Sequence, residues 1–308
     1  MVTKEMFETR EKPWESIGTE VKGEWSSGSM LKRAGLDWDV VQKPIKTDDG
    51  IPIPGVRANV RSDNDYVLGI VSSKYQVVQN REAFSFLDAL VGEGIVFERA
   101  GVLANGKTTW VVCRVPDRWL INSEEITPYL IFVNSHDGSG AIRCVLTPIR
   151  LLCSNSLNLA LSKAKRGWSL NHVGDVESKM KAAGETLFHV NEYMLELGRT
   201  INELNQKKLT DEQVREFIEE LLPMDSEATE LKKSNVLKLR SDMAARYFEA
   251  PDLVGLEKNA YRFINAVADH DYHCLPLKKR ENYLESQFAQ SLSDNSMINK
   301  AYQLVQAA

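Results

Sequence analysis

The chain has 308 residues, enough for one large domain or two ordinary ones. Its composition, 43% hydrophobic, 26% charged and 8% aromatic, excludes an intrinsically disordered chain. A formal net charge of −5 does not exclude a polyanionic ligand, because charges more than ~8 Å apart are largely screened at physiological salt, but it confines such a site to a local patch.

The opening stretch, "MVTKEMFETREKPW", is polar and mixed in sign, without the apolar centre of a secretory signal. No apolar run approaches the ~18–20 residues that span a bilayer, so a cytoplasmic protein with no membrane partner is expected. Cys113, Cys144, Cys153 and Cys274 form no C-x-x-C pair, which argues against a disulfide framework. Three segments are expected: an N-terminal arm over 1–50, an α+β core over 51–174 and a helical region over 175–308.

From Trp38 to Leu146 short runs such as "VRANVRS", "YVLGIVS", "KTTWVVCRV" and "TPYLIFVNS" are rich in β-branched and aromatic residues and read as strands. Asn105-Gly106 marks a hairpin turn. One helix interrupts them, "NREAFSFLDALVGEG", with Asn80 as N-cap, Phe84, Leu87 and Val91 on one face, and Gly92 as its stop.

In "AIRCVLT", Ile142, Cys144 and Leu146 alternate with Arg143, Val145 and Thr147. Thr147-Pro148 then reads as an N-cap and first helical position. A helix there places Ile149, Leu152, Cys153, Leu157, Ala160 and Leu161 on an apolar stripe, and Arg150, Ser154, Asn158, Ser162 and Lys165 on a polar one. Beyond Asp175, Val176, Met180, Ala183, Leu187, Val190, Met194, Leu197, Ile201 and Leu204 recur in a heptad-like seam. That seam suits either self-association or packing against the chain's own helix "SEATELKKSNVLKLRSDMAARYF".

The residues offer four candidate chemistries. A thiol enzyme built on Cys153 with His136 and Asn155 is disfavoured, because Cys153 falls on the apolar stripe. In "ADHDYHC" the spacing of His270 and His273 is three, not the i,i+4 of a helical metal pair, so those residues with Asp271 and Cys274 read as a helix end and no metal is expected. No phosphate-loop or dinucleotide motif is present, and no cofactor is expected. Asp137-Gly138 is explained by turn chemistry, which leaves His136 and Asp137 as a candidate functional turn. The remaining feature is charge. The 37 residues from Gly138 to Gly174 contain no carboxylate, yet hold Arg143, Arg150, Lys163, Lys165 and Arg166. With Trp168 and Tyr75 as stacking partners, these are the candidate nucleic-acid residues.

The blocks "AGLDWDV", "LGIVSSKYQVVQNREAFSFLD", "VNSHDGSGAIRCVLTPIRLLCSNSLNLAL" and "NAVADHDYH" resemble the phage/plasmid-like family DUF932, a domain of unknown function. The resemblance implies a mobile-element setting and carries no mechanism. It departs where this chain has "WESIGT" against a family pattern like "WHGLGT", so Glu15 stands at a histidine position. At the level of fold, strands followed by a cation-bearing helix are similar to the phage single-strand annealing proteins of the RecT, Redβ and Erf kinds.

The expectation is therefore an α+β protein that binds single-stranded DNA and promotes annealing or recombination without ATP, as a homo-oligomer. Two alternatives stand beside it: an interaction protein blocking a host restriction or defence factor through "TDEQVREFIEELLPMDSEATE", and an enzyme using His136, Asp137 or Cys153.

Overall fold

Strands β8 (Glu124–Ser135) and β9 (Ile142–Arg150) form the spine of the molecule and are buried along almost their whole length. Alternation decides which side chains face which way. Leu130, Phe132, Cys144 and Leu146 enter one apolar cluster, while Tyr129, Ile131, Val133, Val145 and Ile149 enter a second on the opposite face. A strand covered on both faces has to be apolar at successive positions, which is why "YLIFV" and "CVL" are near-continuous runs.

The computed structural model describes residues 11–150, 154–173, 186–274, 281–293 and 296–308. In chain order the N-terminal half contains β1 (Thr19–Glu20), α1 (Ser27–Ala34), β2 (Val40–Lys46), β3 (Pro52–Arg61) and β4 (Val67–Ser72). Helices α2 (Asn80–Phe84) and α3 (Leu87–Gly92) follow, then β5 (Val96–Leu103), β6 (Thr108–Arg114), β7 (Trp119–Ile121), β8 and β9. Two short strands, β10 (Asn155–Ser156) and β11 (Gly167–Leu170), complete the sheets. The large antiparallel sheet runs β1-β5-β6-β8-β9-β10, with β7 added to β8 and β11 added to β9; β2-β3-β4 form a second sheet. The C-terminal half is helical: α4 (Thr186–Gln206), α5 (Asp211–Leu221), α6 (Glu230–Glu249), α7 (Ala260–His273), α8 (Tyr283–Ser291) and α9 (Met297–Ala307). The architecture is thus α+β, as the sequence indicates.

The segment expected as an arm is tied into this body. Thr19 pairs with Ala100 on β5, and Val21, Met30, Leu31 and Leu36 share one cluster with Phe263 and Val305. The Asn105-Gly106 hairpin forms as expected between β5 and β6, with positive φ at Ala104, Asn105 and Gly106. The helix at residue 80 starts one residue early. Gln79 is the N-cap, its N–H donates to Glu82 at 2.9 Å, and Asn80 turns inward instead.

The helix expected from Thr147-Pro148 does not form. β9 continues through both residues to Arg150, with Pro148 directly opposite Pro128. Two facing residues that both lack an N–H leave no donor stranded, so proline is tolerated inside this ladder. Burial on both faces then outweighs the local helix-start signal. Leu152 and Cys153 lie outside the described residues. After them, Asn155–Ser156 pairs back onto Arg150 and Ile149. Among the described residues there is therefore no cation-bearing helix of the kind that makes the chain similar to annealing proteins, and Arg150, Ser154, Asn158, Ser162 and Lys165 share no helical stripe.

In the helical half, Val190, Met194, Leu197, Ile201 and Leu204 of the heptad-like seam are buried. Val176, Met180, Ala183 and the side chain of Leu187 lie outside what is described. The seam packs within the chain, and its principal neighbour is α7, not the expected α6. α7 is buried from Ala260 to His270 without a break, as befits a helix surrounded by others.

Candidate functional site

Four of the candidate residues do converge, through strand pairing rather than along a helix. β11 lies antiparallel to β9 with Gly167 opposite Val145, Trp168 opposite Cys144 and Ser169 opposite Arg143. Beside this pair is a cleft of about 460 Å³ lined by Arg143, Lys165, Arg166, Trp168 and Ser169 over an apolar floor that includes Leu161 and Leu292. No carboxylate lines it among the described residues. Lys165 is exposed, Arg143 is half-buried and Arg166 lies almost wholly in the wall. Trp168 is half-buried, with its ring edge-to-face on Phe86 at 5.8 Å. Because Trp168 pairs with Cys144, its ring turns to the Cys144 face and onto Phe86, whereas Arg143 points to the other face with Ser169 and Val145. Cations above an apolar floor are suited to an anionic ligand.

Gly167 is what allows the close pairing. A Cβ there would overlap the Cys144 carbonyl oxygen, and a main-chain atom cannot swing aside. Gly167→Ala is expected to lower stability by about 3 kcal/mol, the upper part of the range for overpacking. The unfolding midpoint in urea measures it, and an unchanged midpoint would show that β11 is not held against β9.

The other cations leave the expected set. Arg150 is fully buried. Its guanidinium makes a fork with Glu124, Nε to Oε2 at 2.8 Å and Nη2 to Oε1 at 2.5 Å, while Nη1 donates to Asp252 at 2.9 Å. The Tyr261 hydroxyl donates to the same Glu124 carboxylate at 2.6 Å. Arg143 and Arg150 are separated by an odd number of residues on one strand, so they point to opposite faces and cannot share a groove. Lys163 is exposed, but its Nζ lies 3.6 Å from Glu196. Tyr75 is not a stacking platform either. Its hydroxyl donates to the Ser135 carbonyl at 2.7 Å, and its ring is stacked on His172 at 4.7 Å.

The "HDGS" turn is built into the junction of the two sheets. His136 has no exposed surface, and its Nε2 lies 2.9 Å from Asn80 Oδ1. Asn80 Oδ1 also accepts from Thr109 at 3.0 Å, and Asn59 donates to the His136 carbonyl at 2.6 Å. Burial, reinforced by nearby His172 and Arg61, pushes the imidazole down to about 3, so it is neutral at ordinary pH. Burial opposes ionisation of Asp137, but hydrogen bonds from Ser139 and Ser135 and the charge of Lys107 hold its carboxyl below the usual range. A Cβ on Gly69 would lie 2.7 Å from the Asp137 backbone, which shows how tightly the turn is clamped. These contacts make His136 and Asp137 packing and turn residues. Cys113 and Cys144 are buried and their thiols are pushed up by desolvation, away from nucleophilic character.

Of one grouping the sequence showed only part: His270 and Cys274 of "ADHDYHC" read as a helix end, and their neighbour Asp242 comes from another helix. Asp242, His270 and Cys274 bring three donor atoms within 4.8 Å of one another. The signal was present as H-x-x-x-C, since His270 and Cys274 have the i,i+4 spacing that His270 and His273 lack.

The sequence model of a family described as "Domain of unknown function (DUF932)" matches residues 67–293. No curated protein and no solved structure matches the chain. Among the described residues no helix is long and apolar enough to cross a membrane.

Proposed function

We propose, for a chain that belongs to the DUF932 family, that the cleft beside β9 and β11 holds single-stranded DNA and that the protein promotes strand annealing without nucleotide hydrolysis, in the cytoplasm, for a phage or plasmid. The supporting observation is the cleft lining, where Arg143, Lys165 and Arg166 come together with no carboxylate beside them among the described residues. Arg143 and Lys165 take backbone phosphate, and Arg166 supplies charge from the wall; Trp168, whose ring is packed on Phe86 on the other face, is not a stacking partner in this cleft. The homo-oligomer belonging to this reading does not use the seam positions Val190, Met194, Leu197, Ile201 and Leu204, whose side chains are buried within the chain.

The test is the double variant Arg143→Ala/Lys165→Ala. Hydrogen bonds to charged groups are worth about 1.5–3 kcal/mol each. Losing two is expected to weaken binding to a single-stranded oligonucleotide at low salt by at least about tenfold. Both side chains lie at the surface or half-buried, so the unfolding midpoint should stay close to that of the parent. Equal affinity of the two proteins would remove the cleft from the account.

A second reading keeps one observation of its own: Glu212, Glu216, Glu219 and Glu220 on α5 all face solvent. An acidic helix face of this kind suits a basic protein partner, such as a host defence factor. It predicts no oligonucleotide binding by the parent chain at any salt.

A further inference from the structure

We propose that Asp242, His270 and Cys274 form a site for one zinc-class divalent ion, clamping α6 to α7. Asp242 comes from α6, His270 from the last turn of α7 and Cys274 from its C-cap, where the Cys274 N–H donates to the His270 carbonyl at 3.0 Å. The i,i+4 spacing places both on one helix face, directed at Asp242. His270 Nδ1 lies 2.7 Å from Asp242 Oδ2. All three donors fall within 4.8 Å of one another, and a tetrahedral ion with the usual Zn–S, Zn–N and Zn–O lengths holds its ligands roughly 3.3–3.8 Å apart. The widest pair has to close by about 1 Å, while the His270–Asp242 pair, now a 2.7 Å hydrogen bond, gives up its proton and opens by roughly 0.6 Å to admit the ion between them.

The donor set selects the metal. One thiolate, one imidazole and one carboxylate suit zinc and its near relatives, whereas magnesium and calcium take all-oxygen shells. The charges also balance. Arg246 is buried against Asp269, Nη1 to Oδ2 at 2.6 Å, so that pair is neutral by itself. Asp242 and a deprotonated Cys274 then supply the two negative charges that match a divalent ion. Arg246 Nε also donates to Asp242 Oδ2 at 2.7 Å, the kind of hydrogen bond that orients a ligating carboxylate. Without metal, burial and nearby Asp242 push the Cys274 thiol up to about 12, and a bound cation reverses that preference. Asp242 and Cys274 are only half-buried, so an ion has access. Three protein ligands leave a fourth position for water or an incoming group.

The experiment is a titration of the metal-free full chain with Co²⁺ alone, followed by visible and near-ultraviolet absorption. One equivalent is expected to develop a thiolate-to-cobalt charge-transfer band with tetrahedral d–d bands, all discharged by Zn²⁺. Cys274→Ser, nearly isosteric at a helix end, should lose the charge-transfer band. His270→Gln should bind at least roughly tenfold more weakly. Zn²⁺ should raise the thermal midpoint of the parent and leave that of Cys274→Ser unmoved. Absence of the thiolate band in the parent chain overturns the proposal without reference to any variant. A band of equal strength in Cys274→Ser overturns it as well, by assigning the metal to another thiol.

Discussion

Arg150→Ala is expected to cost about 3–5 kcal/mol of stability, because it strands two carboxylates in a place arranged for a guanidinium. Glu124 is 8% exposed and the Asp252 side chain 12%, so neither recovers full hydration when the cation goes. The effect should appear as a lower urea midpoint with an unchanged slope. Arg150→Ala and Glu124→Ala should also be non-additive, since each removes the reason for the other; contacting charged pairs couple by about 0.5–3 kcal/mol. The folded fraction should bind oligonucleotide as the parent does, because Arg150 lies on the face of β9 opposite Arg143. Lost binding with intact stability would return Arg150 to the surface and contradict its ion pairs.

Acid should destabilise the protein well above the range where most carboxylates titrate. The folded pKa of His136 is about 3, against 6.5 for the free side chain. Between those values the unfolded chain binds the extra proton, so stability rises with pH through the window and is lost as pH falls from about 6.5 toward 3. The slope approaches 1.4 kcal/mol per pH unit, giving a loss of about 2 kcal/mol between pH 7.5 and pH 5. His172, also lowered by burial, adds to the loss with the same sign. His136→Asn should start from a lower stability at pH 7.5 and lose less on going to pH 5. Urea midpoints at the two pH values measure both, and parallel losses in parent and variant would mean that His136 is not buried neutral.

The sheet was legible because its signal is local. Period-two alternation around Arg143 and the turn residues Asn105-Gly106 depend only on near neighbours. Thr147-Pro148 misled for the converse reason. A helix-start signal is local, while what overrides it is Pro128 facing Pro148 across the ladder. The window without carboxylates is free of them along the chain and not in space: Glu124 reaches Arg150 from 26 residues away and Asp252 from 102, and Glu196 approaches Lys163. Arg143, Lys165, Arg166 and Trp168 were the right residues for a shared cleft, brought there by a β11–β9 pairing that four residues of weak strand character did not announce. His136 carried no local sign of its burial, since Asn80, Asn59 and Trp38 enclose it from other elements.

Guided by the charge window alone, five phosphate contacts would be expected; the folded chain offers two accessible cations at the cleft, Arg143 and Lys165, with Arg166 in its wall. The decisive measurement is a titration of the parent protein against a single-stranded oligonucleotide from 50 to 200 mM salt. Two phosphate contacts, from Arg143 and Lys165, give a slope of log K against log salt of about −1.4, and about a sevenfold loss of affinity over that range. A flat dependence, or no complex even at the lowest salt, would contradict a phosphate-binding cleft at Arg143, Lys165 and Arg166.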